Sequence, residues 1–158
     1  MNKKAEKFEK QLVENQMTNV FQKEEIKDEL ETVLFRSFME IEGLQLPLVV
    51  ILDNSIYAII RTLVIGKGVN EKNHKDVVEI INKLNNTYKA FKYLVSENGE
   101  IILDICVPCT DETFDPNMIR VLLDVAIKNL SENYRQIIKT VWEEVPTEKV
   151  KDKKEKSK

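Results

Sequence analysis

The chain has 158 residues, a net charge of -3, 42% hydrophobic residues and 32% charged ones. That length suits one domain whose core needs no disulfide or metal to hold it, and the mildly acidic balance lacks the basic footprint of a general nucleic-acid binder. No apolar run reaches the roughly 20 residues that span a bilayer, and the basic start Met1-Asn2-Lys3-Lys4 is followed by no apolar signal core. A cytoplasmic protein without membrane insertion is therefore expected, its two cysteines kept reduced.

Residues 3–16 predict an amphipathic helix, with Ala5, Phe8, Leu12 and Val13 at spacings of three and four among lysines and glutamates. Its apolar stripe is narrow, which predicts light packing or packing on a partner. Residues 17–31 predict a polar connector with partial helix, so residues 1–31 form a charged helix and connector ahead of the main domain at 32–145. That domain opens with strands over about 32–42, 46–52 and 56–65. Val33, Phe35, Met39 and Ile41 share one face of the first, while Leu34, Arg36, Phe38 and Glu40 share the other. The second, Leu46-Pro47-Leu48-Val49-Val50-Ile51-Leu52, is apolar on both faces and calls for helices to cover it. Short turns at Gly43 and Asp53-Asn54-Ser55 favour an antiparallel meander.

A helix follows from Asn70 or Asn73 to about Tyr88, burying Val77, Ile80, Ile81 and Leu84. Asn98-Gly99 is a strong hairpin signal between alternating runs that begin at Phe91 and Ile101. Asp115-Pro116 pairs an N-cap with a first-turn proline and opens a last helix to near Glu144. Such a helix spans about 40 Å, so it overhangs a small sheet or bends. Overhang leaves apolar side chains for a partner, with Tyr134 and Trp142 as candidates. Residues 146–158 predict a disordered Lys-rich tail. The fold expected is α+β, in the order α-β-β-β-α-β-β-α, with a five-stranded, mainly antiparallel sheet and helices on one face.

The segments Glu40-Ile41-Glu42-Gly43-Leu44-Gln45-Leu46-Pro47-Leu48-Val49-Val50, Asp53-Asn54-Ser55-Ile56-Tyr57, Phe91-Lys92-Tyr93 and Asp111-Glu112-Thr113-Phe114-Asp115-Pro116 together resemble the bacterial YbjN-like family of sensory transduction regulators. The resemblance covers about residues 32–142 and rests on the combination of segments. It implies a fold similar to type III secretion chaperones and a homodimer that binds a segment of another, unknown protein. It supplies no catalytic residues.

The residues themselves point the same way. Cys106-Val107-Pro108-Cys109 has the spacing of a redox pair, but Cys106 falls at a strand end rather than at a helix start, where the dipole would acidify it. Two structural thiols are expected, with Cys109 the more exposed and a Cys106/Cys109 redox switch as the alternative. His74 is the only histidine, and two thiols plus one imidazole fall short of a four-ligand zinc site. Gly66-Lys67-Gly68 has the wrong spacing for a phosphate loop. No catalytic, cofactor or metal site is therefore assigned, and a non-enzyme is expected. Arg36, Arg61 and Asp104 are charges on largely apolar strands. They read as rim pairs with packed stems, and Arg61 beside Asp104 is the first place for a polar pocket in a small-ligand sensor.

Overall fold

Residues 2–143 are described by the computed structural model. Six strands form one sheet: β1 (Gln22–Glu25), β2 (Val33–Ile41), β3 (Leu44–Leu52), β4 (Tyr57–Ile65), β5 (Phe91–Val95) and β6 (Ile101–Pro108). Their order is β1-β2-β3-β4-β6-β5, with every neighbouring pair antiparallel. The expected count of five is corrected to six, because β1 comes out of the segment read as a polar connector. All four of its side chains are exposed, so it carries no hydrophobic alternation, and it joins the sheet through backbone pairing with β2 alone.

Three helices, α1 (Lys3–Glu14), α2 (His74–Thr87) and α3 (Pro116–Trp142), cover one face of this sheet. The alternation along the strands records it. Val33, Phe35, Met39 and Ile41 of β2 are buried, as are Leu46, Leu48, Val50 and Leu52 of β3 and Ala58, Ile60 and Thr62 of β4. The intervening residues are half-buried or exposed. Helices on one face of an antiparallel sheet make the fold α+β.

The first helix is not lightly packed, which corrects the expectation from its narrow stripe. Phe8 is 2% exposed and meets Phe35 and Phe21 edge-on, at centroid separations of 4.9 and 5.6 Å. Asn2 caps the helix through a 3.0 Å bond from the Ala5 amide and also donates to the Leu52 carbonyl at 2.7 Å. Lys4 is fully buried, with its Nζ donating to the Ser55 and Tyr57 carbonyls at 2.7 and 2.8 Å. A stripe of few apolar residues is thus reinforced by polar anchors that periodicity does not count. The segment set apart as residues 1–31 shares the layer and the core of the rest.

The long last helix packs at both of its ends, and Met118, Val121, Val125, Ile127 and Trp142 stay exposed along it, the spare apolar side chains expected of so long a helix. Its buried positions run from Ile119 through Ala126, Leu130, Tyr134 and Ile137 to Val141, near its two ends. Asp115 caps its start by accepting from the Asn117 amide. Its far end is held by Asn73, which donates to the Val141 carbonyl at 2.9 Å and the Gly68 carbonyl at 3.0 Å. The predicted tail at 146–158 lies outside the described residues.

Candidate functional site

With all three helices on one side, the other face of the sheet is left open, and cross-strand register arranges it in three rows. The middle row reads Gln22, Arg36, Val49, Arg61, Asp104 and Lys92 from β1 to β5. On one side of it Phe38 pairs with Pro47, and Leu63 pairs with Ile102, which pairs with Leu94. On the other side Leu34 lies beside Ile51, Ile51 beside Ile59, and Ile59 beside Cys106. Two apolar rows therefore flank a charged one.

These apolar side chains shield one another only in part. Leu34, Val49, Ile51, Ile59, Leu63 and Ile102 are half-buried, and Phe38 is 62% exposed. An open groove of about 620 Å³ crosses the face over Phe38, Pro47, Val49 and Leu63, with Arg36 and Arg61 on its floor. Partly exposed apolar side chains therefore lie on both sides of the charged row.

Arg61 and Asp104 do come together, as direct neighbours on β4 and β6. The guanidinium binds the carboxylate through two hydrogen bonds, Nε to Oδ1 at 2.8 Å and Nη2 to Oδ2 at 2.7 Å. The bonds to Asp104 hold the Arg61 pKa above its ordinary value against the opposing effect of burial. The Arg61 side chain is 44% exposed, so solvent screens the pair and its own contribution to stability is small, about 0–1 kcal/mol. Asp104 is only 9% exposed and both its oxygens are bonded to Arg61, so the two groups are committed to each other. Arg36 is likewise paired, with Glu24 at 2.7 Å, and the two residues sit on the adjoining strands β2 and β1. The charged row thus holds Arg36, Arg61, Asp104 and Lys92, with Arg36 neutralised by Glu24 from the neighbouring Leu34 row.

The sheet edges, by contrast, are closed to pairing. β1 presents Gln22, Lys23, Glu24 and Glu25, a charged strand of the kind that blocks edge-to-edge addition. On β5 the Asn85 side chain acts as a substitute strand. It accepts from the Tyr93 amide at 2.7 Å and donates to the Tyr93 carbonyl at 3.0 Å.

The remaining candidates separate. Tyr134 is 5% exposed and belongs to the core, so it is not a contact residue. Trp142 is 59% exposed at the end of α3, beside Gly68 and far along the chain from the charged row. The cysteines are both free thiols, with their expected exposures reversed: Cys106 is exposed on the open face, and Cys109 is buried. The Cys109 amide donates to the Ile56 carbonyl at 2.9 Å, which folds the loop after β6 back against the sheet. Burial raises the Cys109 thiol pKa, so it stays protonated and unreactive at neutral pH. His74 is exposed in the first turn of α2. Among the described residues no group of three or more His, Cys, Asp or Glu side chains is placed to hold a metal ion, and no helix is long and apolar enough to cross a membrane.

Sequence reading missed one further surface. Between α3 and β2 lies a groove of about 360 Å³ lined by Met17, Val20, Phe38, Leu123 and Ile127. Its signal was the unusual width of the apolar register on α3, where Leu123 and Ile127 lie one turn apart. No protein-family model matches the chain, and no curated protein matches it.

Proposed function

We propose that this chain is a non-enzymatic protein-interaction module, a homodimeric regulator or chaperone-like adaptor that binds a segment of another protein. The observation that carries the reading is the open sheet face, where two apolar rows remain exposed after three helices have been used on the opposite side. Burying each half-exposed Leu, Ile or Val there gains about 1 kcal/mol or more, at roughly 25 cal/mol per Å². Several such residues together supply the drive for association. The apolar groove between α3 and β2 offers a separate place for an extended or helical segment. The resemblance of residues 32–142 to YbjN-like regulators supports the same class of function.

A photo-crosslinking amino acid at Ile51, on the open face, tests the reading against one at Glu79, on the outer side of α2. In native lysate Ile51 is expected to trap another polypeptide, either a copy of this chain or a different protein, while Glu79 traps little. Equal labelling from the two positions, or none from Ile51, contradicts it.

A further inference from the structure

We infer that the open face is closed by a second copy of this chain, stacked face to face about a two-fold axis that runs parallel to the strands, between β3 and β4. This rests on the reading of the face as an interaction surface and adds its occupant, its symmetry and its pairing. Area comes first. At about 4.8 Å between strands and 3.3 Å per residue, the six strands present roughly 700 Å² per copy. A stable interface buries about 800 Å² per partner, so the face supplies most of what a dimer needs, and a short peptide would leave much of the area exposed.

Charge then selects the symmetry. A two-fold parallel to the strands lays each row over itself in reverse. With the axis between the third and fourth strands of the sheet order, β3 faces β4, β2 faces β6 and β1 faces β5; the four central strands overlap over most of their length, and the edge strands only where Gln22-Lys23 meets Phe91-Lys92. In the middle row Arg36 of each copy comes opposite Asp104 of the other, and Val49 opposite Arg61. Ile51 meets Ile59 in one flanking row, so apolar side chains cover apolar ones. A two-fold across the strands does the opposite. It lays each strand on itself and stacks Arg61 on Arg61 and Arg36 on Arg36, which like charges oppose.

The two pairs within each copy, Glu24–Arg36 and Arg61–Asp104, complete the arrangement. Stacked, the pair from one copy and the pair from the other form a neutral group of four charges, and this group occurs twice per dimer. Sheets packed in line lie about 10 Å apart, which sets Arg36 of one copy over the Arg61–Asp104 pair of the other, with Asp104 itself 9% exposed. Both edge strands carry devices against pairing, a charged β1 and Asn85 on Tyr93 of β5, which favours the face over these edges.

Two charge reversals that keep each internal pair intact test this. One variant carries Glu24→Arg and Arg36→Asp, and the other Arg61→Asp and Asp104→Arg. Each alone sets like charges opposite one another in the dimer, whereas an equal mixture restores complementarity at both contacts. By sedimentation equilibrium the unmodified chain is expected as a two-copy species. Each variant alone should dissociate at least ~tenfold more readily, and the mixture should recover dimers. Variants that associate as tightly as the unmodified chain, or a mixture that fails to recover, overturn the inference. Where circular dichroism shows that a double variant has not folded, Arg36→Gln takes its place, with weaker association expected and unchanged association counting against. A one-copy mass for the unmodified chain, with Ile51 still trapping a different protein, overturns this inference together with the homodimer and leaves standing the reading of the face as a surface for another protein. A one-copy mass with no trapping from Ile51 removes both.

Discussion

Tyr93 and Asn129 form a polar contact inside the core. The Tyr93 hydroxyl donates to the Asn129 Oδ1, and both residues are about 2% exposed. Asn129 Nδ2 has no partner within the described chain, so this contact is all that satisfies the amide's side-chain end. Tyr93→Phe strands the carbonyl oxygen as well and is expected to lower stability by about 1–3 kcal/mol. Adding Asn129→Leu removes the stranded group and should recover most of that loss, as read by urea unfolding. The pair also sets an alkaline limit. Burial raises the Tyr93 pKa above the ordinary tyrosine value of 10.0, so the folded state holds the phenolic proton more tightly than the unfolded one. Its stabilisation is whole below pH 10 and falls as pH rises above that value toward the folded pKa. Tyr93→Phe should flatten that decline, and an unchanged alkaline slope would count against it. None of this was legible in the sequence. Tyr93 reads as one more alternating strand residue, and Asn129 lies 36 positions away on a helix face otherwise read by its apolar residues. Lys4 escaped for the same reason: a lysine near a chain start reads as solvated until its two carbonyl acceptors are seen.

At the scale of elements, the turns and caps were the most legible features, because each rests on local backbone chemistry. Asp115-Pro116 starts α3, and Asn98-Gly99 turns the β5–β6 hairpin. Gly99 has φ +76°, and a Cβ there would sit 2.3 Å from the Val69 carbonyl oxygen. Gly99→Ala is therefore expected to cost about 1–3 kcal/mol, through strain and through loss of the hairpin's close approach to the 66–70 loop. Gly66→Ala meets nothing within 4 Å and should stay within about 0.5 kcal/mol of the parent. Thermal unfolding of the two variants compares them directly, and equal melting temperatures would contradict the assignment. What stayed hidden were the elements defined by long-range contact. β1 has no apolar residue to announce it, and α1 buries more than its stripe implies because Asn2 and Lys4 anchor it to strands about fifty residues away. Asn85, closing the β5 edge, looks in sequence like an ordinary helix surface residue.

For the whole molecule, the sequence showed a strand apolar on both faces and called for helices to cover it. The helices cover one face only, and Val49 and Ile51 stay half-exposed on the other. Arg36, Arg61 and Asp104 were legible as charges on apolar strands. Their alignment in a single row was not, because row membership depends on the register of five strand pairs. Once that register is known, laying the row over its own reverse brings Arg36 opposite Asp104, and the proposed dimer would take its association from apolar area and its orientation from that one contact. Ile51 lies next to the proposed axis, between Leu34 and Ile59 of its own sheet and opposite Ile59 of the other copy, where a carboxylate would be buried between the sheets with no cation directly beside or opposite it. Sedimentation velocity of the unmodified chain and of Ile51→Asp, side by side at the same concentration, is the most direct measurement. The unmodified chain should travel as two copies, and Ile51→Asp as one copy with an unchanged circular dichroism spectrum. A two-copy species for both, or a single copy for the unmodified chain, would contradict the account.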